Sequence, residues 1–173
     1  MQVKEPAAAS TEHRHLPVNL PVEMPAMPNL SEYLIHEHRH CDAAFAIAES
    51  AVAQGDWPAV RPPLARYSSE VLTHFAREEA VLFPAFESAS GISQGPTAVM
   101  RDEHDQVREL LEALEAATER EDGDAWLGYA DTLMILLQQH NMKEEQVLYP
   151  MAERLLAAEL EPLCERLRAL KLS

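Results

Sequence analysis

Four histidines and two glutamates stand out by type and spacing: His38, His74, Glu78, His104, His140 and Glu144. His74-Phe-Ala-Arg-Glu-Glu-Ala-Val-Leu-Phe-Pro84 superimposes on His140-Asn-Met-Lys-Glu-Glu-Gln-Val-Leu-Tyr-Pro150 when the chain is shifted by 140 - 74 = 66 positions. The same shift lays Glu37-His38 over Glu103-His104. Imidazole and carboxylate together are the donor set that suits iron, manganese or zinc. A glutamate four residues after a histidine lies one helical turn further along the same face, so each pair could serve one site.

The elements must bring these residues together. From Leu30 onward apolar residues recur at steps of three and four, the signature of helices that bury one face. Four long helices are expected over 31–54, 62–88, 96–120 and 124–149, with a shorter one within 151–172. Ser31 is the expected cap of the first. The inward stripes read Leu34, His38, Cys41, Phe45, Ala48, Val52; then Leu64, Tyr67, Val71, His74, Glu78, Val81; then Met100, His104, Val107, Leu111, Leu114; and last Tyr129, Leu133, Leu136, His140, Glu144, Val147. Short connections carrying Gly55-Asp56, Ser90-Gly91 and Asp122-Gly123 make successive helices antiparallel neighbours. The fold class is therefore an all-α, up-down-up-down four-helix bundle. Residues 1–29, with Pro6, Pro17, Pro21, Pro25 and Pro28, are read as an extended proline-rich arm, and residues 30–173 as the bundle with its C-terminal helix.

Heights within the bundle follow from counting. The midpoints between His38 and His74, His74 and His104, and His104 and His140 all fall in expected turns. Residues equally far from an antiparallel turn sit level, because each helix climbs about 1.5 Å per residue. The four histidines should meet in one layer, with Glu78 and Glu144 beside them. Unpaired, such a layer would be costly inside an apolar bundle. Two ions bridged by the two glutamates would use all six donors and leave positions for water, a bridging oxygen or a small ligand.

On these residues the chain resembles the hemerythrin-like, or HHE cation-binding, domains. The resemblance covers roughly residues 30–151 and rests on Glu-His38, His74-x-x-x-Glu78, Glu-His104 and His140-x-x-x-Glu144 with the trailing Val-Leu-aromatic-Pro. It implies a bundle around a non-haem di-iron centre with bridging glutamates. Oxygen-carrying hemerythrins have a fifth histidine where this chain has Arg108, and an aspartate five residues after the last histidine where this chain has Glu144 four after it. The pattern is closer to a four-histidine, two-glutamate branch that includes proteins similar to the repair-of-iron-centres group. That group often carries an N-terminal cysteine-bearing domain; here a proline-rich stretch stands in that place.

Other residues draw plainer readings. His13 and His15 sit among prolines and are read as solvated, while His36 and His40, about 200° round the helix from His38, should face outward. Glu37, Glu79, Glu103 and Glu145 lie about 100° off the inward faces, where a carboxylate is solvated or sits behind a ligand; their repetition favours the latter. Cys41, Tyr67 and Tyr129 read as core, and Pro84 and Pro150 should end or kink their helices.

Composition narrows the function. Twenty-nine acidic residues against 14 basic ones give a formal charge of -15, which repels nucleic acid and anionic membranes. Two distant cysteines fit a reducing compartment, and the opening residues lack a signal peptide's apolar stretch, so a cytoplasmic setting is expected. The expected function is a metal-binding protein holding two iron ions, with manganese or zinc as substitutes. Its open positions would serve dioxygen, nitric oxide, peroxide or iron handling. The competing readings are a stress-response di-iron enzyme and a non-catalytic protein with a structural metal.

Overall fold

The computed structural model describes residues 29–171; the expected arm, with His13 and His15, lies outside the described residues. Helix α1 (Leu30–Ala53) is followed by α2 (Trp57–Arg77), a π-helical turn (Glu78–Leu82), α3 (Phe83–Ser90), α4 (Pro96–Arg120), α5 (Gly123–Lys143), a second π-helical turn (Glu144–Leu148), α6 (Tyr149–Leu155) and α7 (Leu160–Ala169). No strand occurs among the described residues. α1 packs along α2 and α4 along α5; α2 meets α4 and α1 meets α5, which closes the expected four-helix bundle.

Local chemistry sets most boundaries. Asn29, not Ser31, caps α1: its side chain accepts from the Glu32 amide at 2.7 Å. The Ser31 amide instead donates to Glu153 at 2.8 Å, which ties the start of α1 to α6. α2 starts earlier than expected, because Asp56 caps it by accepting from the Ala59 amide and Val60 is already fully buried. The helix therefore runs through Pro62 and Pro63. Asp122 caps α5 in the same way.

The apolar interior is divided in two. One cluster, with Phe45, Tyr67, Val71, Phe75, Leu114 and Trp126, fills the end nearest the α1–α2 and α4–α5 turns. The other, with Leu34, Phe83, Phe86, Met100, Tyr149 and Leu167, fills the opposite end, where α7 covers the first π turn. The predicted site residues fall at the level between them.

The π turns revise two expectations. Phe83 N–H reaches back five residues to Glu78, and Tyr149 N–H to Glu144, so each turn holds one residue more than an α turn. Everything beyond rotates by about 100° relative to a continuous α-helix. Val147, expected inward, is 49% exposed, while Leu148 and Tyr149 turn into the core. Pro84 and Pro150 do not end their helices: α3 and α6 continue past them. A widened turn just ahead accommodates a ring that would otherwise crowd the carbonyl four residues back. Accordingly, Val147→Glu should change stability by no more than about 0.5 kcal/mol, while Leu148→Ala should cost about 2–5 kcal/mol. Urea denaturation of the metal-free protein checks this; equal losses would mean the register beyond Glu144 is wrong.

Candidate metal centre

His38 comes from the middle of α1, His74 from the last turn of α2, His104 from α4 and His140 from the last turn of α5. Glu78 and Glu144 open the two π turns. All six side chains are buried, and Glu78, His104, His140 and Glu144 have no exposure at all. The structure brings the six together at one level. Glu78, His104, His140 and Glu144 form one group whose donor atoms lie within 4.8 Å of one another, and His38, His74 and Glu144 form a second. Glu144 belongs to both.

Ring orientation is the informative feature. His74 Nδ1 lies 3.0 Å from Glu37, His104 Nδ1 2.7 Å from Glu79, His140 Nδ1 3.0 Å from Glu103 and His38 Nδ1 2.9 Å from Glu145. An ionised carboxylate only accepts, so each Nδ1 carries the hydrogen and donates it. The carboxylate always comes from a neighbouring helix, and the four bonds run round the bundle. Arg77 pairs with Glu37, Lys143 with Glu103, and Arg108 with Glu79 at 2.8 and 2.9 Å. Burial by itself would raise the pKa values of Glu37, Glu79 and Glu103; the histidine bonds and these cations outweigh it and hold them lower.

With every Nδ1 engaged, all four Nε2 atoms point inward. They face each other in pairs, His38 to His74 at 2.9 Å and His104 to His140 at 3.2 Å. Two Nε2 lone pairs at that distance repel unless a cation or proton lies between or beside them. The glutamates approach the same atoms: Glu78 Oε2 is 3.4 Å from His74 and 3.3 Å from His104, Glu144 Oε1 is 3.2 Å from His140, and Glu144 Oε2 is 3.4 Å from His38. Glu78 Oε2 and Glu144 Oε1 are buried without a hydrogen-bond partner. Oxygens left in that state can be met by a metal ion or by hydrogens on the facing Nε2 atoms.

In the metal-free fold the buried carboxylates favour the charged form of three of the rings. Burial alone would lower His140, but Glu144, Glu78 and Glu103 outweigh it and push the ring up to about 9. His38 and His104 are raised too, with Glu144 and Glu78 respectively overcoming burial. Burial would raise Glu144; its histidine neighbours hold it well below the usual carboxylate range.

One residue of the site was not anticipated. The hydroxyl of Tyr149, a fully buried side chain, lies 2.8 Å from Glu78 Oε1, 2.9 Å from Glu144 Oε2 and 3.3 Å from His38 Nε2. An α-helical count from Glu144 puts position 149 off the inward face; the π turn returns it. The available signal was the repeat itself, where Tyr149 answers to Phe83. His36 and His40 stay outside the cluster, as expected, with His40 beside Arg66 and Glu70. Cys41 and Tyr67 are core residues, and Tyr129 packs against the same cluster.

Comparison with known proteins agrees with this geometry. The model of the hemerythrin HHE cation-binding domain matches residues 29–152. Among curated proteins, the chain is similar to the iron-sulfur cluster repair protein YtfE of Cronobacter sakazakii, 41% identical over 68 residues, or 36% of this chain and 31% of that one. It is 32% identical over 110 residues to YtfE of Escherichia coli O1:K1 and to that of Citrobacter koseri, covering 56% of this chain and 50% of each relative. The chain thus spans half or less of the length of these relatives. No solved structure matches it. No helix among the described residues is long and apolar enough to cross a membrane. A four-helix bundle with histidines and glutamates gathered at mid-height, matched along most of its length by that domain model, belongs to the hemerythrin HHE cation-binding family.

Proposed function

We propose that His38, His74, Glu78, His104, His140 and Glu144 hold a non-haem di-iron centre, with positions left for dioxygen, nitric oxide or peroxide, or for iron in transit. The observation that carries this reading is the pair of buried oxygens, Glu78 Oε2 and Glu144 Oε1, that lack any hydrogen-bond partner and face histidine Nε2 atoms. One ion would be held by Glu78, His104, His140 and Glu144, the other by His38, His74 and Glu144. The donors contain no thiolate, which favours iron, with manganese or zinc as chemical substitutes. Bound iron would supply electron transfer and a coordination position for a small ligand. The chain supplies the rest: Glu37, Glu79, Glu103 and Glu145 fix the rings with Nε2 inward, and the two apolar clusters exclude bulk water. A cytoplasmic setting goes with this reading, since two distant cysteines suit a reducing compartment.

Similarity to curated iron-sulfur cluster repair proteins supports a second reading, a stress-response protein acting on damaged iron centres. Both readings need the same metal site and part company at turnover. Anaerobic reconstitution with ferrous iron should give about two metal ions per chain by elemental analysis. Fewer than one would overturn both. Spectral change on adding nitric oxide or azide is expected of open positions; an unresponsive spectrum would reduce the site to a structural metal.

The pH dependence has a definite sign. The pKa of His140 in the metal-free fold, about 9, lies above the ordinary histidine value of 6.5, so its contribution to stability is complete below pH 6.5 and is lost as pH rises through about 9. The melting temperature of the metal-free protein should therefore fall between these pH values, whereas the metal-loaded protein should not follow it. Loading at pH 7 in weak buffer should also release protons, because a metal takes the place of the ring protons. A flat metal-free profile, or loading without proton release, would contradict the protonated site.

A further inference from the structure

The six donors and the four carboxylates behind them repeat in both halves of the chain, but the aromatic residues around them do not. Phe83 of the first half answers to Tyr149 of the second, and Phe75 to Asn141. Phe83 stacks on His104 with ring centroids 5.7 Å apart and planes 22° apart, and Tyr149 stacks on His38 at 6.0 Å and 29°. The two rings occupy equivalent places, and only one carries a hydroxyl. That hydroxyl sits within hydrogen-bond distance of both buried glutamates, at Glu78 Oε1 and Glu144 Oε2. The oxygens it leaves, Glu78 Oε2 and Glu144 Oε1, are the two with no partner.

The terminal torsion of a glutamate is broad and roughly two-fold, so nothing intrinsic to the side chain selects which oxygen faces the histidines. An external contact must do so. We infer that Tyr149 is a positioning residue: its hydroxyl, whose single hydrogen is shared between Glu78 Oε1 and Glu144 Oε2, fixes the rotation of both carboxylates, turning Glu78 Oε2 toward His74 and His104 and Glu144 Oε1 toward His140 while Glu144 Oε2 stays beside His38. The inference rests on the metal-binding reading above. A phenol carries its hydrogen at neutral pH and donates it to a carboxylate, which only accepts. The tether joins the start of the second π turn to that of the first, across the bundle, so one contact acts on donors from both halves.

The test uses the full chain and cobalt(II) as the probe, titrated against a competing chelator and followed by its visible absorption. Tyr149→Phe keeps the ring on His38 and removes only the hydroxyl. It should leave the helical content of the metal-free protein unchanged, weaken cobalt binding at least about tenfold and alter the absorption bands. The double variant Phe83→Tyr/Tyr149→Phe moves the hydroxyl to the equivalent ring and should recover most of the affinity. Unchanged affinity and spectrum in Tyr149→Phe would overturn the inference. So would a folded double variant as weak as the single one, since the loss would then be one of packing. If Tyr149→Phe fails to fold, the double variant decides alone by the same criterion. Failure of the unsubstituted protein to bind cobalt would instead overturn the metal-binding reading itself.

Discussion

Two carboxylates and four imidazoles removed from water at mid-height of an apolar bundle are the constraint on which the rest of this structure depends. Burying a charge costs several kcal/mol unless it is paired and hydrogen-bonded, and an approximate arrangement is worse than none. The fold answers with a closed set of contacts. Each histidine donates outward to a carboxylate from the next helix, most of those carboxylates meet a cation nearer the surface, and the inner carboxylates meet Tyr149. What this set leaves facing inward, four Nε2 atoms in contact with one another and two carboxylate oxygens without a hydrogen-bond partner, is a cluster that could hold metal ions.

The same constraint accounts for the shape of the core. Apolar residues form two clusters, one on each side of the polar layer, instead of one continuous interior. Dry packing above and below limits solvent access, which strengthens the electrostatic contacts inside and keeps water from competing for the donors. The π turns belong to this economy of positions. An uninterrupted α-helix would carry Glu78 inward and Phe83 away; the extra residue lets both face the centre, as it does for Glu144 and Tyr149.

The internal repeat makes the site nearly two-fold, and the departures from it show where the halves differ. Arg77 pairs with Glu37 and also donates to the Leu167 carbonyl at 3.0 Å, which links one half of the site to α7. Lys143, at the equivalent position, pairs with Glu103 and is 43% exposed. His104 has Phe75 stacked on it at 3.6 Å, where the other half has Asn141, a polar residue. His38 and His74 keep slight exposure while His104 and His140 have none. The His38–His74 side is thus the more polar and the more accessible of the two.

The gathering of the six residues could be read from the sequence because equal spacing about three turns gives equal height in an antiparallel bundle. Inward stripes as far as Glu78 and Glu144 were legible for a related reason: helical periodicity is a local property that continues until something interrupts it. Val147 marks where it was interrupted, since a π turn is a response to a following proline and to the demands of the site, neither visible in a count of threes and fours. The pairing of Glu37, Glu79, Glu103 and Glu145 with histidines of neighbouring helices, and the reach of Tyr149 across the bundle, involve residues 25 to 111 positions apart in the chain. The sequence by itself determined the four long helical stretches, their order and the level at which His38, His74, Glu78, His104, His140 and Glu144 gather. Only the tertiary structure decided how the rings turn, which carboxylate supports which histidine and which oxygens remain free, because those follow from contacts between helices and not from the period within any one of them.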